Sequence, residues 1–144
     1  MGKGDAFYVG NAAMDSVDGS SWFVGQFVPK VLGLRHQTDV ELKWGVHAQG
    51  ERRPGGFQAN GVATTISVLV RGIMQITFEA DGSAQRVTLK DAGDYVIFGP
   101  DLVHGWEAVT DSVIVSIRFP SIDIRSRDPS AAKARSPANS YCGQ

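Results

Sequence analysis

One cysteine is all this chain of 144 residues contains, and Cys142 lies in a polar stretch close to the C-terminus. An internal disulfide is excluded, thiol catalysis has no well-placed nucleophile, and such sparing use of cysteine fits a reducing compartment. Long apolar runs are missing too, and nothing approaches the roughly 20 residues a membrane-spanning helix needs. The opening Met1-Gly-Lys-Gly-Asp5 carries no apolar segment of the secretory kind, so the cytoplasm is the expected location and no membrane partner is expected. Charge of one sign is absent as well. Lys and Arg number 14 against 15 Asp and Glu, the formal net charge is -1, and no basic run breaks the balance. A nucleic-acid partner needs a basic face, and none is visible. There is no Gly-x-Ser-x-Gly elbow, phosphate loop or Cys-x-x-Cys pair, no window with a helical apolar period, and no internal repeat.

Glycine is plentiful, at 17 residues spread between short apolar runs, and hydrophobic residues make up 42% of the chain. Frequent turns between β-branched and aromatic segments predict an all-β domain. Strands are expected at 21–28, 40–47, 64–70, 72–78, 85–89, 95–98, 104–109 and 112–119. The run at 64–70 is almost continuously apolar, as in a central strand. Residues 40–47 alternate polar and apolar, as in a strand with one buried face. Asp81-Gly82 suits a tight hairpin turn. Arg52, Arg53, Pro54, Gly55 and Gly56 read as a solvated loop, and His36 as a turn residue. The pattern stops at Pro120. This predicts one domain over residues 1–120, with an N-terminal strand extension, and a mobile or loosely packed polar tail at 121–144. So many short strands must close on themselves or stack as two sheets to hide their edges, and a jelly roll does both.

Three histidines are available, and His104 is the most informative. It follows a short apolar strand and a Gly-Pro turn, and it opens the next strand, which places one imidazole at the mouth or lumen of a barrel. Trp106 falls on the same strand face, because side chains alternate. The segment from Gly93-Asp94-Tyr95 through Pro100 to His104 resembles the second signature motif of the cupin superfamily. The residues around Gly72 and the Asp81-Gly82 turn follow in the same order, so the resemblance covers roughly residues 40–119. It is nearest to a group of small single-domain bacterial cupins with Lys43-Trp44-Gly45-Val46-His47, Gly93-Asp94-Tyr95 and Arg118-Phe119-Pro120-Ser121. The resemblance implies an all-β double-stranded β-helix, the cupin jelly-roll barrel, with a site in its lumen.

The family's first motif is His-x-His-x4-Glu-x6-Gly. Counted back from Gly72, its ligand positions hold Gln58, Asn60 and Thr65, all neutral, and only His104 of the second motif remains. A second register places His47 and Glu51 at a family-like spacing, with Gly45 in place of the first histidine, and gives a His47, Glu51, His104 triad. The first register implies a small-molecule-binding barrel with a degenerate metal site, in a sensor or accessory role. It holds no cofactor, or a weakly bound divalent Fe, Zn or Mn. Gln58, Asn60, Thr65, Trp106 and Arg118 are then the ligand-binding candidates, Arg118 through a ligand carboxylate or through pairing with Asp or Glu at the rim. The second register implies a metal-dependent oxygenase or isomerase. Without a metal, His104 as base and Tyr95 as acid form a candidate catalytic pair. The partners expected are a small molecule in the lumen and a second copy of the chain in a homodimer.

Overall fold

The computed structural model describes residues 6–121. The expected tail therefore lies outside the described residues, Cys142 included, except for Ser121. The described chain is built of eight strands: β1 (Trp22–Val24), β2 (Glu41–His47), β3 (Thr64–Arg71), β4 (Met74–Ala80), β5 (Ser83–Leu89), β6 (Tyr95–Phe98), β7 (Val103–Ala108) and β8 (Ser112–Phe119). All pairings are antiparallel. Five strands form one sheet in the order β1-β2-β8-β3-β6, and three form the other, β5-β4-β7. The two sheets face each other as a jelly roll.

Three expectations need correction. The first strand is shorter than 21–28. Gly25 leaves the sheet because its N–H and C=O bond to Arg35 and Gln37 instead. Two 3-10 helices, Val17–Gly19 and Lys30–Arg35, lie on either side of β1. Helices this short never complete the turns that would print an apolar period on the sequence. A third difference concerns residues 50–58. Gly50, Glu51 and Arg53 exchange backbone hydrogen bonds with Ala108 and Trp106, and Gln58 exchanges two with His104. The loop is a strap along the free edge of β7, not a solvated excursion.

Alternation sorts the side chains cleanly. Facing inward from β4 and β7 are Met74, Ile76 and Phe78, opposite Ala108, Trp106 and His104. With Leu69, Leu89, Phe98 and Ile114 they make the apolar core. The larger sheet is different. Its inward positions include Glu41, Lys43, Thr65, Ser67, Ser112, Ser116 and Arg118, all buried. Its outward positions are apolar. Leu42, Ile117, Ile66 and Ile97 line up across four strands, and Trp44, Val115, Val68 and Tyr95 make the next row.

Gly72 sets the break between β3 and β4. Its φ is +90°, and a Cβ there would run into Ser112 and the Asp111 carbonyl. The Ser112 hydroxyl accepts from the Ile73 N–H at 3.1 Å in this crowded corner. Gly72→Ala is expected to lower unfolding free energy by about 2–3 kcal/mol, from backbone strain plus the clash. Urea unfolding of the two proteins checks this, and a loss below about 0.5 kcal/mol would contradict it.

Among the described residues no helix is long and apolar enough to cross a membrane.

Candidate functional site

β7 puts His104 inside because inward and outward positions alternate along it. The residue is fully buried. Its ring centroid lies 4.6 Å from Phe98 on β6 and 6.1 Å from Phe78 on β4, and those two phenyl rings lie 5.0 Å apart. The Nδ1 of His104 is 2.9 Å from the Leu102 carbonyl. A carbonyl only accepts, so Nδ1 carries the ring proton and Nε2 is left as a bare lone pair. That Nε2 is buried with no hydrogen-bond partner. Burial drives the pKa of His104 down to about 4. The Leu102 carbonyl opposes the shift, and the positive charges of Arg53 and Arg118 add to it. At neutral pH the ring is an uncharged hydrogen-bond acceptor.

β5 and β6 are the outermost strands of their respective sheets, so the barrel wall is open between them. A cavity of about 440 Å³ occupies this seam. Phe78, Phe98, Val87, Val96 and Leu102 form its apolar wall, with Ser83 and Gln85 at the polar side. Phe78 and Phe98 thus line the cavity and also pack against the imidazole, which does not itself line it.

At the family's first-motif positions, Asn60 and Thr65 meet. Asn60 donates its side-chain N–H to the Thr65 hydroxyl at 2.8 Å, and both are buried. Thr65 pairs with Phe98 across the sheet, and Gln58 pairs through its backbone with His104. The Gln58 amide turns back to the Gly55 carbonyl at 3.4 Å. Two of the three substituted side chains, Asn60 and Thr65, therefore bond to each other, while the third, Gln58, bonds to the strap.

The second register divides. His47 Nδ1 lies 3.2 Å from Glu51 Oε1, and the His47 ring packs 4.3 Å from that of Trp106. Burial lowers the pKa of His47, against the opposing pull of Glu51. A side chain at position 45 has no room, because its Cβ would sit 2.7 Å from His47 Nε2. The position that a first histidine would take is filled by the His47 ring itself. His104 packs against Phe98 and Phe78 instead, while Trp106 belongs to the core cluster beside Ile76 and Met74. Among the described residues, no group of three or more His, Cys, Asp or Glu side chains converges on a point. One imidazole with neutral amide and hydroxyl oxygens does not fit a tightly held transition metal, which needs several His, Cys or carboxylate donors at bonding distance.

Two other expectations fail on geometry. Tyr95 is 64% exposed on the outward side of β6, so it does not face buried His104 and no acid–base pair forms between them. The one-residue alternation that turns Phe98 inward turns Tyr95 outward. Arg53 is buried, not solvated. Its Nη1 donates to the Gln58 carbonyl at 2.7 Å and to the His104 carbonyl at 2.8 Å, clamping the strap to β7. His36 is also tied down, with Nδ1 2.7 Å from the Val28 carbonyl.

Arg118 pairs with a glutamate, in the interior and not at the rim. Its Nε lies 2.6 Å from Glu41 Oε1, both residues are buried, and its guanidinium stacks 4.2 Å over the Trp22 ring. Ser121 donates its hydroxyl to Glu41 Oε2 at 3.0 Å and accepts from the Gln26 N–H at 3.0 Å. This network ties β1, β2, β8 and the residue after Pro120 together.

No family model matches the sequence, and no curated protein matches it. Solved structures do. The chain is similar to KdgF from Halomonas sp. (21% identity, TM-score 0.50, over 61% of this chain and 74% of that one). It is similar to a recombinant oxalate oxidase in complex with glycolate (16% identity, TM-score 0.50, 58% of this chain), of which it spans only 42%. It is also similar to a cupin protein from Bacteroides fragilis (24% identity, TM-score 0.49, 58% of this chain and 67% of that one). Two facing antiparallel sheets with the free edges at β5 and β6 define a double-stranded β-helix barrel. The fold is the cupin fold.

Proposed function

We propose that this chain is a small-molecule-binding cupin barrel with a degenerate metal site, serving a sensor or accessory role. The ligand has an apolar or aromatic body and at least one N–H or O–H donor. The observation that carries the reading is the bare, uncharged Nε2 of His104, buried behind the phenyl pair that walls a cavity of about 440 Å³. A buried acceptor without a partner costs about 1–3 kcal/mol, and a ligand donor that reaches it recovers that cost. The aromatic wall supplies apolar area for the rest of the ligand.

Proton transfer is the weaker reading. A base with a pKa of about 4 takes protons poorly at neutral pH, where a catalytic base works best near the operating pH. The metal-dependent oxygenase or isomerase reading needs His47, Glu51 and His104 in one cluster. His47 and Glu51 are together, but their ring neighbour is Trp106, whereas His104 has Phe78 and Phe98.

A fragment library of aromatic compounds with and without an N–H or O–H group tests the proposal by NMR. Donor-bearing fragments are expected to shift the His104 ring signals, and to bind at least about 10-fold more weakly to His104→Phe, the equivalent of one lost hydrogen bond. Equal binding to both proteins, or no fragment that touches His104, would defeat it. Trp106→Ala is unsuited to the same purpose, because removing a core tryptophan costs about 3–5 kcal/mol of stability.

A further inference from the structure

The outer face of the three-stranded sheet carries another concavity, which neither His104 nor the Phe78–Phe98 pair lines. Alternation turns Ile76 and Phe78 into the barrel, so Gln75 and Thr77 of β4 face out. Thr77 stands opposite Gly105 of β7 on one side and Arg86 of β5 on the other. Phe57, from the strap, lies across Gly105: a Cβ there would come within 2.6 Å of its ring. The glycine thus seats an aromatic ring on the sheet, and that ring is still 46% exposed. A cavity of about 230 Å³ is lined by Phe57, Thr77, Gln75 and Arg86, together with Arg52 and Glu107. The strand order β5-β4-β7 puts Phe57 and Arg86 on opposite sides of it.

Arg86 is exposed and makes no ion pair among the described residues. Arg52 lies 3.5 Å from Glu107, and the two side chains are 76% and 39% exposed. A surface pair of this kind contributes little, so Arg52 turns to another anion at small cost. Two guanidinium groups and one carboxylate suit a single negative charge, whereas a dianion would set extra charge beside Glu107. We propose that this pocket is a site for a small aromatic monocarboxylate, separate from the lumen. The carboxylate takes the Arg86 fork in two parallel hydrogen bonds, and the Gln75 amide and Thr77 hydroxyl are further donors. The ring packs on the open face of Phe57. The volume lies below the roughly 300–1,000 Å³ of pockets for drug-sized ligands, which limits the body to about one ring. The inference does not rest on the lumen reading, because the side chains it uses lie on the other face of the sheet.

The test is a titration of the ¹⁵N-labelled full chain with benzoate, followed by NMR. Benzoate is expected to shift the Arg86 Nε–H and Gln75 side-chain amide signals. Arg86→Gln is expected to weaken its binding at least about 10-fold. Phe57→Leu, which keeps an apolar side chain on Gly105, is expected to weaken it about 3- to 10-fold. Both positions are exposed, so both variants fold. Benzamide has the ring without the charge, and inorganic phosphate has the charge without the ring. Each is expected to bind at least about 10-fold more weakly than benzoate. No shift at Arg86 and Gln75 with benzoate at tens of millimolar overturns the inference. So does unchanged benzoate affinity in either variant, or benzamide or phosphate binding as tightly as benzoate.

Discussion

Glu41→Gln is expected to lower the unfolding free energy by roughly 3–5 kcal/mol, the cost of breaking a buried ion pair from one side. Glu41 is 2% and Arg118 5% exposed, and the guanidinium is packed against Trp22, so water cannot reach in to replace the lost carboxylate. The same carboxylate accepts the Ser121 hydroxyl, and that hydroxyl in turn receives the Gln26 N–H. Removing its charge therefore weakens the attachment of β1 and of the chain after Pro120 as well as the pair itself. Replacing both members, Glu41→Met with Arg118→Met, is expected to be less damaging than the single change, because Arg118 is then not left facing a neutral side chain in the interior. Urea unfolding of the three proteins measures this. A single variant within about 1 kcal/mol of wild type, or a double variant clearly worse than the single, would show that the pair does not carry the weight assigned to it.

His104 makes stability fall with acid. Its folded pKa is about 4 against 6.5 for the free side chain. Between those values the unfolded chain binds a proton at this residue and the folded chain does not, so stability drops as pH falls from about 6.5 toward 4 and levels off below. A shift of this size corresponds to roughly 3 kcal/mol. The lowered pKa of His47 contributes in the same sense. His104→Asn keeps a side-chain N–H that can reach the Leu102 carbonyl but cannot titrate. Unfolding free energies from pH 7.5 to 4 are expected to fall by about 3 kcal/mol more in the wild-type protein than in this variant. Parallel curves would mean that the imidazole titrates in the folded barrel as it does in the unfolded chain.

Much of the architecture was legible because short runs of β-branched and aromatic residues stand between turn residues, as at β3, β6 and β8. The expected strands at 95–98 and 112–119 coincide with β6 and β8, and Asp81-Gly82 is the hairpin turn between β4 and β5. Position 104 was legible from the strand–turn–strand spacing alone. The direction of the larger sheet was not. Hydropathy favours turning Leu42 and Trp44 inward, yet Glu41 and Lys43 occupy the interior, because a buried carboxylate with Arg118 and Ser121 to hold it satisfies the core from the other side. Arg53 was misread for a related reason. Its partners are two backbone carbonyls, and no side chain in the sequence advertises a carbonyl. The pairing of Asn60 with Thr65 was hidden too, since a hydrogen bond between neutral residues five positions apart leaves no pattern. Asp94 stands in the Gly93-Asp94-Tyr95 stretch of the motif. In the fold its carboxylate accepts the Lys90 and Asp91 N–H groups, which hold its pKa down.

Long-range ¹⁵N–¹H NMR of the histidine rings, on protein purified without chelators, reads the central feature of the site directly. The His104 spectrum is expected to show the proton on Nδ1 and a free lone pair on Nε2 at pH 7, unchanged by EDTA. A proton on Nε2, or an Nε2 signal with the shift of a metal-bound nitrogen that moves when EDTA is added, would contradict the account.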